Sequence, residues 1–123
     1  MTPSCLPHVP QGRVLLVEDD PDAALFFAHV LTRRGGFDAV HVASPALALD
    51  LALLERWDLV VADYDLPGMT GLDLLAALRA LAPALPVVLV TAQDPHLLPP
   101  YLSALLKPVR PAHLVMTAAT LIG

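Results

Sequence analysis

Two kinds of apolar segment alternate along the chain. Short β-rich runs cover residues 13–18, 37–43, 58–63, 85–92 and 102–106. The third and fourth runs are apolar almost throughout, as expected for strands buried on both faces of a sheet. The segments between them carry apolar residues at helical spacing, for example Ala24, Phe27, Ala28 and Leu31. Alternating strands and helices with short connections predict an α/β fold, a doubly wound sandwich around a five-stranded parallel sheet with right-handed crossovers.

The predicted helices begin at residues that favour helix N-termini. Asp20 and Ser44 each stand directly before a proline, and Thr70 precedes the third helix. Side-chain oxygens of these residue types accept hydrogen bonds from N–H groups of the first turn, and proline is favoured at the first helical position. The first helix is expected to end before Gly35 or Gly36, and the last helix is expected over residues 111–122.

Length and composition limit the classes of protein. A chain of 123 residues is long enough for one domain with a substantial core. Its net charge of −5 disfavours direct nucleic-acid binding, which needs clustered Lys and Arg. Although 56% of the residues are apolar, no uninterrupted run reaches the roughly 18 residues of a membrane span. We therefore expect no membrane insertion. The chain is also expected to be a monomer or a weak dimer.

The N-terminal residues 1–12 differ in character from the rest. They contain three prolines and lack the basic start and apolar core of a signal peptide. They are predicted to be a flexible lead-in to a single domain at residues 13–123, and a cytoplasmic location follows by default. Cys5 is the only cysteine, so an intrachain disulfide is excluded.

Chemistry-bearing residues stand where the predicted strands end. They are Glu18-Asp19-Asp20, Asp63, Thr91 and Lys107. Carboxyl ends of parallel strands meet at one edge of the sheet, where doubly wound folds place their sites. Converging carboxylates repel one another, and a hard divalent cation such as Mg²⁺ relieves that repulsion. A Lys and a Thr nearby are suitable partners for the oxygens of a phosphoryl group.

The sequence resembles the response-regulator receiver domain of two-component signalling. The matching stretches are LLVEDD (15–20), DYDLPGMTG (63–71), VTA (90–92) and KP (107–108), in family order. The resemblance extends over roughly residues 13–123 and implies a flavodoxin-like (βα)5 sandwich. It also implies a signalling switch in a phosphorelay, with a sensor histidine kinase or phosphotransfer protein upstream and an unknown protein downstream.

The resemblance assigns a role to each matching residue. Asp63 would be the phosphoacceptor, with Thr91 and Lys107 contacting the phosphoryl group. Asp19 and Asp63 would bind Mg²⁺ directly, Asp65 would offer its backbone carbonyl to the metal, and Glu18 would act through water. The Lys107-Pro108 bond is typically cis in this family. The implied chemistry is self-phosphorylation and autodephosphorylation, which differs from that of a metabolic enzyme.

Two alternatives remain open. A constitutive interaction module with vestigial phosphorylation would keep the fold but not the switch. The DYD stretch is also similar to the nucleophile loop of haloacid-dehalogenase-like phosphatases, in which Asp63 would attack and Asp65 would be the acid-base residue. Pro67, where that family usually carries Thr or Val, and the acidic cluster at residues 18–20 argue against the phosphatase.

The segment between Thr91 and Lys107 departs from the family. It is shorter than usual and contains Pro95, Pro99 and Pro100, which disfavour a continuous helix. We expect a shortened or missing fourth helix, with at most one or two turns around residues 95–98. The aromatic residue that the family usually carries three positions before the lysine is replaced by Ala104, and Tyr101 is a possible substitute for it.

The remaining aromatic and imidazole side chains suggest no further site. The histidines show no metal-ligand spacing and are interpreted as surface or packing residues: His8, His29, His41, His96 and His113. Trp57 and the pair Phe26-Phe27 are predicted to lie in the core.

Overall fold

The structure, a computed structural model, describes residues 11–123. The expectations for residues 1–10, including Cys5, His8 and most of the lead-in, lie outside the described residues. Gln11 and Gly12 form hydrogen bonds with the residues around the start of the second strand. The Gln11 N–H donates to Gly36 O (2.9 Å), and Gly12 O accepts from Asp38 N–H (2.8 Å).

Strands and helices alternate as predicted. The elements are β1 (Arg13–Val17), α1 (Pro21–His29), β2 (Asp38–Val42), α2 (Pro45–Leu54), β3 (Leu59–Asp63), β4 (Asp65–Leu66), β5 (Met69–Thr70), α3 (Gly71–Leu81), β6 (Val87–Thr91), β7 (Ser103–Leu106) and α4 (Pro111–Ile122). The main sheet has five parallel strands in the order β2-β1-β3-β6-β7. The predicted doubly wound α/β fold is confirmed.

The core forms two layers, one on each face of the sheet. On one face, α1 and α4 cover side chains such as Leu16, Val61 and Val90. On the other face, α2 and α3 cover Leu15, Val60 and their neighbours. Every residue of β3 and β6 is buried, which explains why these two runs are apolar without alternation.

The predicted helix caps are present. The Asp20 side chain accepts from Asp22 N–H, and the Ser44 side chain accepts from Leu47 N–H. Thr70 forms a capping box with Asp73, in which each side chain accepts from the other's backbone N–H. Local side-chain chemistry therefore sets where these helices begin.

The end of the first helix differs in detail from the prediction. After His29 the chain continues as a wider π-helical turn, Val30–Arg34, which closes when Gly35 N–H donates to Val30 O at 3.1 Å. The core prediction for the phenylalanine pair is half wrong, since Phe27 is buried whereas Phe26 is 43% exposed. Adjacent helical residues point about 100° apart, so one side chain of the pair faces the solvent.

A small hairpin follows β3 that the sequence pattern did not indicate. Strands β4 and β5 pair antiparallel, with Asp65 opposite Thr70 and Leu66 opposite Met69. The connecting residues are Pro67 and Gly68, and Gly68 has a φ of 80°. Proline followed by a residue with positive φ is typical of a type II turn.

The crossover from β6 to β7 lacks an α-helix, as expected. Residues 92–102 contain a single 3₁₀ turn, Pro95–Leu97. The prediction of a shortened fourth helix is confirmed. Among the described residues no helix is both long enough and apolar enough to cross a membrane.

Candidate functional site

The sheet brings the predicted residues to one edge. Glu18 and Asp19 follow β1, Asp63 ends β3, Thr91 ends β6 and Lys107 follows β7. The strand pairings place Val17 opposite Ala62, Asp63 opposite Val90 and Thr91 opposite Leu106, so these strands end nearly level. The order of the strands reverses between β1 and β3, and this switch point is where such folds bind their ligands.

Three carboxylates converge at this edge. Glu18, Asp19 and Asp63 each place an oxygen within 4.8 Å of the others. Glu18 and Asp63 are buried, whereas Asp19 is exposed. Like charges at this separation repel strongly where water is excluded, and a divalent cation bound by oxygen ligands would relieve the repulsion.

Glu18 shows the strain of this arrangement most clearly. Its side chain is only 1% exposed, and its Oε1 atom has no hydrogen-bond partner among the described residues. Burial, together with the neighbouring Asp63 carboxylate, raises the pKa of Glu18 to about 7. Because an unpartnered buried oxygen is costly, this donor set fits a Mg²⁺ ion or its bound water.

Asp63 is held by partners on both sides. Lys107 Nζ lies 3.2 Å from Asp63 Oδ2, an ion pair between side chains that are 34% and 9% exposed. The Asp65 backbone N–H donates to Asp63 Oδ1 at 3.2 Å. The Lys107-Pro108 bond is cis, as the resemblance implied. The Asp63 carboxylate is thus held in a fixed orientation beside the Lys107 ammonium group.

Thr91 and Asp65 occupy different environments. Thr91 is fully buried, and its Oγ1 accepts from Gln93 N–H at 2.9 Å. Lys107 N–H donates to Thr91 O at 2.8 Å, which ties the end of β7 to the end of β6. The Asp65 side chain is exposed and is not a member of the acidic group.

Two residues support the site that sequence reasoning did not assign to it. His41 was interpreted as a surface or packing residue, and it is exposed, but its Nε2 donates to the Glu18 carbonyl oxygen at 2.6 Å. Gly71 packs so closely that an added Cβ would lie 2.9 Å from Tyr64 Cα and 3.1 Å from Asp63 O. Gly71 lies within the stretch DYDLPGMTG, so its position in the motif was the only available signal.

The comparisons with known proteins agree with this geometry. The family model for the response regulator receiver domain matches residues 14–118. This chain belongs to that family. It is 41% identical to the probable transcriptional regulatory protein TcrX of Mycobacterium tuberculosis over 66% of this chain and 34% of that protein. The matched part of this chain therefore spans about a third of the length of that relative.

Solved receiver structures are similar over nearly the whole chain. A sensor protein from Polaromonas sp. JS666 matches with a TM-score of 0.81 and 31% identity, covering 92% of this chain and 97% of that chain. The receiver domain of the sensor histidine kinase PA1611 from Pseudomonas aeruginosa PAO1, whose structure has a magnesium ion in its active-site cleft, matches with a TM-score of 0.81 and 28% identity, covering 91% and 98%.

Proposed function

We propose that this receiver domain is a phosphorylation switch in which Asp63 accepts a phosphoryl group from phosphohistidine or a small acyl phosphate. The observation that carries the proposal is the position of Asp63 between Lys107 at 3.2 Å and the carboxylates of Glu18 and Asp19. A carboxylate oriented between a cation and a metal-binding pair is suited to nucleophilic attack on phosphorus.

Each side chain has a defined part in this chemistry. An Asp63 oxygen forms the new bond to phosphorus while the bond from phosphorus to the donor nitrogen or oxygen breaks. Lys107 offers its ammonium group to the transferred oxygens, and the Thr91 hydroxyl is their expected hydrogen-bond partner. Hydrolysis of the aspartyl phosphate later returns Asp63 to the free carboxylate and releases phosphate.

The acidic residues would hold Mg²⁺. Asp19 and Asp63 are the candidates for direct ligation, the Asp65 backbone carbonyl is a third, and Glu18 would bind through water. The bound ion would supply positive charge that neutralises the phosphoryl oxygens. The unpartnered Oε1 of Glu18 supports this role, because a metal-bound water would give that oxygen a hydrogen-bond donor.

The partner upstream is proposed to be a sensor histidine kinase or a phosphotransfer protein. Family membership supports this class of partner, and a downstream protein would read the phosphorylated state. No observation favours the phosphatase alternative, because the Asp65 side chain lies outside the acidic group.

The test is incubation with Mg²⁺ and acetyl phosphate, followed by intact-protein mass spectrometry. The wild type and Asp65→Asn should each gain one phosphoryl group, whereas Asp63→Asn should gain none. Asp65→Asn is a matched control because it removes a carboxylate from the same DYD stretch. No gain in the wild type, or a gain in Asp63→Asn, would overturn the proposal. Steady hydrolysis of a phosphate ester lost in both variants would indicate the phosphatase instead.

A further inference from the structure

The crossover from β6 to β7 leaves one place in the fold without a helix. Helices α1, α2 and α3 occupy the three earlier crossovers, whereas residues 92–102 contribute one short turn. Leu105 of β7 points to the α1/α4 layer, so Leu106 points to the α2/α3 face, where it is 48% exposed. The layer that α2 and α3 build therefore stops before it covers the last strand.

A groove lies beside α3 at this point. Two cavities of about 290 and 270 Å³ share Leu75, Arg79 and Tyr101 as lining residues. On the helix side, Leu72, Leu75, Ala76 and Arg79 follow one another at the spacing of a single helical face. We call this feature, lined by Leu72, Leu75, Ala76, Arg79, Pro99 and Tyr101, the α3 groove.

The groove offers an exposed aromatic anchor. Tyr101 is 81% exposed and lines both cavities together with Leu75 and Arg79 of α3. Tyrosine and arginine are the residue types that most often dominate binding energy at protein interfaces. Placing Tyr101 and Arg79 together on an otherwise apolar surface is typical of a docking site.

The charge of the groove specifies its occupant. Arg79 is the only charged residue that lines either cavity. Its Nη1 donates to Leu85 O at 2.7 Å, but within residues 11–123 it forms no ion pair. In a chain with net charge −5, this is a local positive surface with no carboxylate to balance it. A symmetric contact of two copies centred on this groove would bring two Arg79 side chains near each other, so the charge favours an acidic partner.

The geometry points to the α3 groove as a docking site for an amphipathic α-helix of a partner protein. The apolar face of that helix would contact Leu75, Ala76 and Tyr101, and an Asp or Glu on it would face Arg79. Such a helix would extend the α2/α3 layer toward Ser103 at the start of β7, which lines one of the two cavities. The contact is of the helix-in-groove type. The inference concerns the groove alone and does not depend on phosphorylation of Asp63.

The experiment is a display selection from a library of amphipathic helical peptides. Selection uses the full chain without Mg²⁺ or acyl phosphate, with counter-selection against Tyr101→Ala. We expect enriched peptides with apolar residues at i, i+3, i+4 and i+7 and with an acidic residue on the same face. Amide shifts on binding should be confined to α3 and residues 99–103.

Affinities of the enriched peptide then test each contact. Tyr101→Ala should weaken binding about tenfold or more, and replacing the acidic residue of the peptide by Lys should do the same. Leu97→Ala, in the same segment and 76% exposed, does not line the groove and should change the affinity less than about twofold.

Four results would overturn the inference. They are no enrichment over the Tyr101→Ala variant, enrichment of basic or extended peptides, amide shifts outside the groove, and a wild-type dimer in sedimentation that Tyr101→Ala dissociates. The last result would identify the occupant as a second copy of this chain. Asp63→Asn should bind the peptide with the same affinity as the wild type. A failure of the peptide test is therefore distinguishable from a failure of the phosphorylation test.

Discussion

The site at the strand ends, formed by Glu18, Asp19, Asp63, Thr91 and Lys107 and called the pocket below, is held differently from the crossover at residues 92–102. In the pocket, contacts join distant parts of the chain, as between Lys107 and Asp63, which are 44 positions apart. In the crossover, the bonds are local: Leu97 N–H donates to Asp94 O at 2.9 Å, and Leu102 N–H to Pro99 O at 3.1 Å. The proposed site of phosphoryl transfer is thus positioned by the whole sheet, while the crossover leaves side chains such as Tyr101 exposed.

The largest expected difference between the two regions is in Mg²⁺ affinity. Asp19→Asn removes a carboxylate from the acidic group and should weaken Mg²⁺ binding by about a hundredfold or more, since even outer-shell changes cost 10–100-fold. Asp94→Asn makes the same change in the crossover and should leave the affinity unchanged, because the amide oxygen still accepts from His96 N–H. Isothermal titration calorimetry measures both, and equal losses would refute the assignment of the site.

The second difference is in tolerance of added volume. In Gly71→Ala the new Cβ would lie 2.9 Å from Tyr64 Cα, and forcing it in should lower the free energy of unfolding by about 1–3 kcal/mol. Leu97→Ala in the crossover should change the free energy by less than about 0.5 kcal/mol. Urea denaturation compares the two variants. A Gly71→Ala variant as stable as the wild type would show that the backbone around Gly71 can accommodate the added Cβ without cost.

The third prediction concerns pH in Mg²⁺-free protein. Burial raises the pKa of Glu18 from 4.5 to about 7, so between these values the folded state holds a proton that the unfolded state has lost. Stability relative to Glu18→Gln should therefore fall by about 3 kcal/mol as the pH rises from about 4.5 to 7, and it should level off above that range. Urea denaturation across this range measures it, and parallel profiles for the two proteins would contradict the prediction.

The smallest expected effect tests support of the pocket by His41. His41→Ala removes the donor to the Glu18 carbonyl and should weaken Mg²⁺ binding by about tenfold, the low end of the range for outer-shell changes, whereas His41→Gln can restore an N–H donor. His96→Ala, an exposed histidine in the crossover, should have no effect. Titration calorimetry again measures the Mg²⁺ affinities. If His41→Gln binds Mg²⁺ no more tightly than His41→Ala, the proposed role of the hydrogen bond is wrong.

Much of the fold followed from local patterns. Asp20, Ser44 and Thr70 cap their helices as predicted, because a capping bond joins residues two or three positions apart. The β4–β5 hairpin escaped prediction because each strand has only two residues, too few for a period to be visible. Phe26 was misjudged because apolar character does not tell which of two adjacent helical residues faces the core.

The candidate site was predictable for a different reason. Parallel strands present their carboxyl ends together, so the order of strand-end residues sufficed to propose that Asp19, Asp63, Thr91 and Lys107 converge. The assignment of metal and phosphoryl roles to these residues stays a prediction. His41 could not have been included, because its bond to Glu18 joins residues 23 positions apart on paired strands and depends on their register.

By itself, the sequence determined the alternation of elements, the caps and the set of polar residues at the strand ends, because each depends on short-range periodicity or on the rule that parallel strands share an edge. Only the tertiary structure decided that Glu18 is buried with an unpartnered oxygen, that Gly71 lies against the backbone of Asp63, and that an apolar groove with Arg79 and Tyr101 lies open beside α3. Burial, close approach and cavities arise where segments distant in sequence pack together, and no local pattern records those distances.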